Sequence, residues 1–163
     1  MQRYTIGLIK AATVGRGDDG FVYNKLADTG FVILAMSRAT LCRSTIAALY
    51  GAHRNAPYFS DLIESVTGTV VSMILHHPTK DSVTYWREIM GPTVSKNAPV
   101  GTIRGAIGGH VYCGEATKVA DNAVHGSDSS VAAKFERSLL FNVGICTSVD
   151  SILKLWETGE THA

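Results

Sequence analysis

His125 is the candidate nucleophile of this sequence, and it stands in the segment NAVHGSDS, residues 122–129. A neutral imidazole attacks electrophiles near pH 7 because its ordinary pKa is about 6.5. Attack requires one ring nitrogen without a proton and the other held as a donor. The competing interpretation is a structural histidine that ends a short strand. The neighbouring residues must decide between the two.

Among the 15 lysine and arginine residues, whose cationic side chains can all hold a phosphate, we consider Lys10, Arg87 and Arg104. Lys10 ends the apolar stretch YTIGLIK, where a solvated strand end is the plainer interpretation. Arg87, taken alone, is interpreted as a solvated helix residue. Arg104 is isolated in a glycine-flanked loop, and an arginine there can grip two phosphate oxygens at once. Arg104 is therefore the most suggestive of the three.

The composition is that of an ordinary globular protein, with 163 residues, 45% hydrophobic and 18% charged residues, and a formal net charge of +1. This length favours one compact domain. The charge balance lacks the excess that indicates disorder or polyelectrolyte binding, so an anionic ligand must be bound locally. Cys42, Cys113 and Cys146 form no CxxC pair, which favours a reducing compartment. The N-terminal apolar stretch is too short to span a membrane, and we expect a cytoplasmic protein.

Hydrophobic periodicity predicts alternating strands and helices that position these residues. The predicted strands are 4–10, 30–39, 69–77 and 122–127, and the predicted helices are 19–30, 41–53, 58–68, 79–91 with a Thr79 cap and 129–141 with a Ser129 cap. Residues 91–120 are predicted to form a long connection, which is more often functional than idle. This order predicts a ferredoxin-like α/β sandwich, an α+β fold whose four-stranded antiparallel sheet has helices covering one face. The other face then needs loops or a partner.

The stretch GRGDDG, residues 15–20, matches the glycine pattern of a dinucleotide-binding turn. The match is weak because four residues separate Lys10 from the first glycine, and Ser37 and Arg38 stand where a ribose-binding acid is needed. A glycine-rich turn between a strand and a helix is the preferred interpretation. The phosphate-binding pattern GxxxxGK[ST] is absent from the sequence.

Several motifs together resemble the nucleoside diphosphate kinase family. They are LIK ending at Lys10, GF at Gly30, LYGAHRNAPYF at 49–59, WREIMGPT at 86–93, GTIRG at 101–105 and, most specifically, NAVHGSDS. The similarity covers about residues 3–141 and implies the ferredoxin-like fold. It implies transfer of the γ-phosphoryl group of a nucleoside triphosphate to a nucleoside diphosphate, by a ping-pong mechanism through a phosphohistidine on His125.

The resemblance assigns the remaining site residues. Glu136 is implied as the carboxylate that orients His125, with Ser127 and Tyr50 positioning the site and Gly126 letting the phosphate approach. Implied nucleotide contacts are Lys10, Arg87, Arg104 and Thr93 for the phosphates or ribose, Asn122 for a sugar hydroxyl, and Tyr58, Leu62 and Val119 for the base. A stacking slot predicts broad acceptance of bases. Mg²⁺ is expected to arrive with the nucleotide, with Asp128 nearest to it, through water.

The chain departs from the family pattern after Lys10, after Arg104 and beyond Phe141. Ala11 and Ala12 replace the usual Pro-Asp after Lys10, and the stretch from Arg104 to Val119 is several residues longer than usual. We expect this insertion to be a lid or a subunit contact. Residues 1–141 form the kinase-like domain, and 142–163 form a tail expected to pack on the domain or on a neighbouring subunit. The resemblance implies a homohexamer, with a tetramer or dimer as the alternative.

Two other functions deserve comparison with a kinase. A catalytically weak relative would bind nucleotide or support assembly, but the presence of both His125 and Glu136 argues against it. A sheet-based RNA-binding module would need exposed aromatic residues on its central strands and a basic face. The strands YTIGLIK and TVVSMILH supply almost none. We therefore expect no membrane and no specific nucleic acid among the partners.

HVYC at 110–113 and the pair His76 and His77 are not interpreted as metal sites.

Overall fold

The protein forms a four-stranded antiparallel sheet in the order β2-β3-β1-β4. The computed structural model describes residues 3–109 and 122–141. The strands are β1 (Thr5–Ile9), β2 (Val32–Thr40), β3 (Thr69–His76) and β4 (Val124–Gly126). Strand β1 lies between β3 and β4, and its register sets Leu8 opposite His125. The predicted ferredoxin-like fold is confirmed, and the candidate nucleophile lies on an edge strand beside the centre of the sheet.

Helices cover both faces of this sheet. They are α1 (Ala11–Arg16), α2 (Asp19–Asp28), α3 (Arg43–Leu49), α4 (Phe59–Glu64), α5 (Ser82–Met90), α6 (Ile103–Ile107) and α7 (Ser130–Leu140). Ile9 and Met73 pack with residues of α2, α5 and α6, whereas Leu8 packs with residues of α3 and α4, and Ile6 packs with α7. The prediction of one covered face was wrong. Strand β1 is buried along its whole length, and successive side chains point to opposite faces, so both faces need a cover.

Two short helices lie where the sequence predicted none. Helix α1 follows Lys10 directly, so GRGDDG joins two helices and not a strand to a helix. Gly17, at φ +78°, ends α1 in the left-handed conformation that glycine adopts readily. Helix α6 lies inside the predicted connection, and the Thr102 hydroxyl accepts a hydrogen bond from the Gly105 amide at 3.1 Å. Asp81, and not Thr79, caps α5, whereas the Ser129 cap of α7 is confirmed.

Gly126 lets β4 approach α5 closely. A Cβ atom at Gly126 would lie 2.5 Å from the indole ring of Trp86, so a larger residue would force the strand and helix apart. The indole Nε1 of Trp86 donates to the backbone carbonyl of His125 at 3.4 Å. This packing explains Gly126 better than an approach of phosphate does, and it fixes the backbone that carries His125.

Within residues 3–109 and 122–141, we find no helix with the length and apolar character that a membrane span requires.

Candidate active site

A cavity of about 380 Å³ opens beside β4 and brings the sequence-predicted residues together. Its walls come from the end of β1, the segment from α3 to α4, the helix α5, and the segment from Asn122 to α7. The predicted residues on it are Lys10, Tyr50, Tyr58, Leu62, Arg87, Thr93, Arg104, Asn122, His125, Asp128 and Glu136. Ser127 lies behind the wall, and Val119 lies outside the described residues. Residues that are far apart in the chain thus share one site.

His125 presents its imidazole with one nitrogen already engaged. Nε2 lies 3.1 Å from Oε1 of Glu136, and the His125 side chain is 15% exposed. An ionised carboxylate only accepts hydrogen bonds, so the imidazole proton lies on Nε2. Nδ1 then keeps its lone pair, and among the described residues it has no hydrogen-bond partner. The ring is held in the tautomer that a nucleophilic Nδ1 requires.

Ser127 connects this pair to the central strand of the sheet. Its hydroxyl donates to Oε2 of Glu136 at 2.7 Å and accepts from the Ile6 amide at 3.2 Å. The Ser127 amide in turn donates to the Ile6 carbonyl at 3.2 Å. Ser127 is fully buried and Glu136 is 5% exposed. The carboxylate is therefore held by its second oxygen as well, through the residue for which the sequence predicted a positioning role.

Tyr50 packs its ring against His125. The ring centroids are 5.4 Å apart at an interplanar angle of 76°, an edge-to-face contact that limits rotation of the imidazole. The Tyr50 hydroxyl is buried and has no partner among the described residues. Burial, with the charge of Glu136 nearby, raises the pKa of Tyr50, so the hydroxyl keeps its proton. The ring of Tyr50 is in position to orient His125, and its hydroxyl is able to donate a hydrogen bond to a ligand.

Lys10 is a buried cation at the edge of the cavity, 2% exposed. Its ammonium lies 3.4 Å from the hydroxyl of Ser65, and its amide donates to the Ala123 carbonyl at 2.9 Å. Ala123, at φ +61°, forms a tight turn directly before β4. The interpretation of Lys10 as a solvated strand end was wrong, because the turn at Ala123 and helix α1 enclose it.

Arg104 is buried, and its guanidinium donates hydrogen bonds to backbone carbonyls. Its guanidinium donates to the carbonyls of Gly91 at 2.9 Å and Val124 at 2.9 Å, and its Nε donates to Asn122 at 3.2 Å. Burial lowers the pKa of Arg104 to about 10, which leaves the group charged near pH 7. Arg104 thus ties the loop after α5 to the segment of His125 and supplies positive charge to the cavity.

Arg87 and Asp128 face each other at the rim of the cavity. The guanidinium donates to the carboxylate, and the two side chains are 48% and 76% exposed. Arg87 comes from α5, whereas Asp128 precedes α7, so the ion pair bridges two walls. Arg87 is thus a cation of the cavity that is paired with an acid at the rim.

Asn122 and Thr93 meet on the wall of the cavity. The Asn122 amide donates to the Thr93 carbonyl at 3.1 Å, and its Oδ1 is buried without a partner among the described residues. That oxygen is an acceptor for a ligand hydroxyl. Thr93 is exposed at the cavity.

Taken together, the cavity has an oriented imidazole, three cations, an acceptor for a hydroxyl and an aromatic wall at Tyr58. This set suits transfer of a phosphoryl group, because that reaction needs a positioned nucleophile and positive charge around the phosphates.

The family model described as nucleoside diphosphate kinase matches residues 3–144 of the chain. The chain belongs to the nucleoside diphosphate kinase family.

Individual members of the nucleoside diphosphate kinase family agree with this assignment. The relative from Lawsonia intracellularis is 36% identical over 141 residues, which cover 86% of this chain and 95% of the relative. The solved structure from Aquifex aeolicus has a TM-score of 0.76 at 28% identity, covering 86% of this chain and 96% of its own. The structure from Halobacterium salinarum, in complex with CDP, has a TM-score of 0.75 at 25% identity and covers 88% and 90%. The chain is accordingly a phosphotransferase, and the alternative of a catalytically weak relative is not favoured.

Two residues of this kinase-family cavity escaped the sequence reasoning. His53 lines the cavity, and its Nδ1 lies 3.0 Å from the hydroxyl of Tyr58. Phe135, half exposed, lines it one residue before Glu136. His53 stands inside the stretch LYGAHRNAPYF, five residues before Tyr58. The sequence signal for His53 is that Tyr58 stands where the family usually has Phe, because its added hydroxyl needs a hydrogen-bond partner nearby.

No cluster of three or more metal-ligating side chains occurs in the part of the chain that the structure describes. Asp128 is an exposed single carboxylate at the cavity rim. In a nucleoside diphosphate kinase, this donor set fits an ion held chiefly by nucleotide phosphates and water, and it does not fit a protein-held metal centre.

Proposed function

We propose that this chain transfers the γ-phosphoryl group of a nucleoside triphosphate to a nucleoside diphosphate through a phosphohistidine at Nδ1 of His125. The observation that carries the proposal is the contact of Nε2 with Glu136 at 3.1 Å. It leaves Nδ1 as the nitrogen with a lone pair and supplies a negative charge beside the ring.

In the first half of the reaction, the Nδ1 lone pair attacks the γ-phosphorus, and the bond from that phosphorus to the β–γ bridging oxygen breaks. The nucleoside diphosphate leaves with the electron pair of that bond. The proton stays on Nε2, where Glu136 stabilises the positive charge that the ring acquires. In the second half, a terminal oxygen of the acceptor diphosphate attacks the phosphorus, and the nitrogen–phosphorus bond breaks. His125 is then regenerated, as a ping-pong mechanism requires.

The cations stabilise the charge on the phosphates during both halves. Lys10 and Arg104 are buried and already held, so they need little reorganisation when the nucleotide binds. Arg87 is exposed and reaches the phosphates at the rim. The Thr93 hydroxyl donates a hydrogen bond to a phosphate, and Oδ1 of Asn122 accepts a hydrogen bond from a sugar hydroxyl.

The base stacks against Tyr58 and Leu62, and the resemblance also assigns Val119, which lies outside the described residues, to the base. The complex of the Halobacterium salinarum relative with CDP supports a nucleoside diphosphate as the ligand. Mg²⁺ bound with the nucleotide would lower the repulsion between the phosphates and the nucleophile. Asp128 would contact it through water, because its carboxylate is exposed at the rim.

The active form is proposed to be a homohexamer in the cytoplasm, with a tetramer or dimer as the alternative. Measuring the mass of the protein in solution distinguishes these oligomeric states. Residues 1–141 are proposed as the kinase domain and 142–163 as a tail that packs on it or on a neighbouring subunit. The tail and most of the insertion between Arg104 and Val119 lie outside the described residues.

Incubation with γ-labelled ATP tests the mechanism. We expect label on the protein that is stable in base and labile in acid, and that is released by added nucleoside diphosphate as labelled triphosphate. His125→Ala should abolish both the label and the transfer. Unchanged transfer by that variant would overturn the proposal. Phosphorus NMR of the labelled chain should assign the phosphoryl group to Nδ1, and a signal from the Nε2 isomer would contradict the geometry.

A further inference from the structure

Tyr58 is held at its hydroxyl by His53. Nδ1 of His53 and Oη of Tyr58 are 3.0 Å apart, and the two rings are tilted by 51° with centroids 5.8 Å apart. Both side chains line the active-site cavity. His53 is exposed and Tyr58 is half-buried. The contact thus lies at the mouth of the cavity, on the wall assigned to the base.

The backbone around the pair is independently ordered. The Ala56 amide donates to the His53 carbonyl at 2.8 Å, and the Leu62 amide donates to the Tyr58 carbonyl at 3.0 Å. His53 ends a short 3₁₀ helix, and Tyr58 precedes α4. The loop between them is therefore shaped by main-chain hydrogen bonds. What the side-chain contact adds is a fixed direction for the Tyr58 ring.

We propose that His53 is a positioning residue for the nucleotide base, which it orients by holding the hydroxyl of Tyr58. This inference rests on the proposed function, because it assumes that the base stacks on Tyr58. A ring that is already held loses less rotational freedom when a base stacks on it. A hydroxyl that is already paired with His53 also need not give up a water when the base covers the ring. His53 therefore favours the base of a nucleoside diphosphate without contacting it.

A double-mutant cycle tests this role by calorimetric binding of ADP to the full-length protein. We expect His53→Ala to weaken ADP binding by about twofold to tenfold, the range for one net hydrogen bond. In a Tyr58→Phe background, the same substitution should change the affinity within error, because the hydroxyl is gone. His53→Asn should restore much of the loss, since the asparagine amide can occupy the place of Nδ1. An equal loss in both backgrounds, or no loss in either, overturns the inference.

Two controls separate base positioning from a general effect. Inorganic tripolyphosphate has no base, so the loss of His53 should not change its affinity. Its dissociation constant is measured by competition with ADP and calculated with each variant's own ADP affinity. We expect the same value for all the proteins. Arg54→Ala removes an exposed side chain from the same loop and should leave ADP affinity unaltered. The rate of His125 phosphorylation at saturating ATP should also be unaltered in His53→Ala. A fall in that rate, or weaker tripolyphosphate binding, would indicate a structural role and overturn the inference.

The outcomes also distinguish this inference from the proposed function. If wild-type protein binds ADP and forms the acid-labile phosphate but the cycle shows no coupling, only the role of His53 is wrong. If wild-type protein neither binds ADP nor forms the phosphate, the proposed function is wrong and the inference falls with it.

Discussion

Glu136 places one carboxylate oxygen 3.1 Å from Nε2 of His125 and the other 2.7 Å from the hydroxyl of Ser127. Ser127 is itself hydrogen-bonded to Ile6 on the central strand β1. The imidazole is thus connected to the most buried strand of the sheet through two side chains. This connection orients the nucleophile before any nucleotide binds, which is the condition for catalysis by positioning.

The charge of Glu136 should matter more to the rate than to the fold. Glu136→Gln keeps an acceptor for Nε2 but removes the negative charge that stabilises the ring as it gains positive charge. We expect the rate of His125 phosphorylation to fall by about 10- to 100-fold, with an altered pH–rate profile. Rapid-quench measurement of the labelled protein across pH 5–9 checks this. Glu64→Gln changes an exposed glutamate outside the cavity and should leave the profile as it is; an unaltered profile in Glu136→Gln would refute its role.

Arg104 and Arg87 should separate stability from binding. Arg104→Ala removes the donor to the carbonyls of Gly91 and Val124 and one of two donors to the carbonyl of Asn122, and we expect a loss of about 2–4 kcal/mol in the free energy of unfolding together with weaker nucleotide binding. Arg87→Ala removes an exposed ion pair, so stability should change by less than about 1 kcal/mol while nucleotide affinity falls. Urea unfolding and ADP titration on both variants measure this. Equal stability losses would contradict the structural assignment of Arg104.

Asp128 should compete with phosphate for Arg87 when no divalent ion is present. Asp128→Asn removes the competing carboxylate, and we expect metal-free ADP to bind up to about fivefold more tightly at low salt, with less effect at high salt. The gain in affinity from added Mg²⁺ should also shrink. ADP titrations in EDTA and in Mg²⁺ measure both effects. Asp28→Asn makes the same charge change on an exposed residue of α2 and serves as the control; identical behaviour of the two variants would show only a net-charge effect.

Cys42 should react as a thiolate near neutral pH. Hydrogen bonds from the hydroxyls of Ser44 and Thr45 lower the pKa of Cys42 to about 7, and the side chain is exposed. The thiolate population therefore rises through pH 7, and so should the rate of alkylation by iodoacetamide. Ser44→Ala should move the midpoint upward, because one donor to the thiolate is lost. Mass-spectrometric mapping isolates Cys42 from Cys113 and Cys146, and a midpoint near the ordinary thiol value of about 8.5 would contradict the contact.

Acceptor nucleotides should be distinguished weakly. Stacking on Tyr58 uses the face that every base has, so initial rates with ADP, GDP, UDP and CDP should lie within about two orders of magnitude. A coupled spectrophotometric assay with each acceptor at the same concentration measures the spread. Activity confined to a single base would show that hydrogen bonds at the base edge, and not stacking, dominate.

The sequence by itself determined the chemistry and the order of the elements. The segment NAVHGSDS indicated a nucleophile at His125, and the family resemblance implied Glu136, eleven residues later, as its partner. The alternation and length of the apolar stretches located the strands within a few residues. These are local signals, written in neighbouring side chains.

Only the tertiary structure decided how distant residues are used. Lys10 is buried, and its amide and ammonium are bonded to Ala123 and Ser65, which lie 113 and 55 positions away in the chain. Arg104 is a structural as well as a cationic residue because the carbonyls of Gly91 and Val124 converge on it. Burial and pairing at these positions depend on which strands are neighbours and in which register, and β1 takes partners that lie far along the chain. Local propensity carries no record of that pairing, so the same lysine that looks like a solvated strand end becomes a buried charge in the cavity.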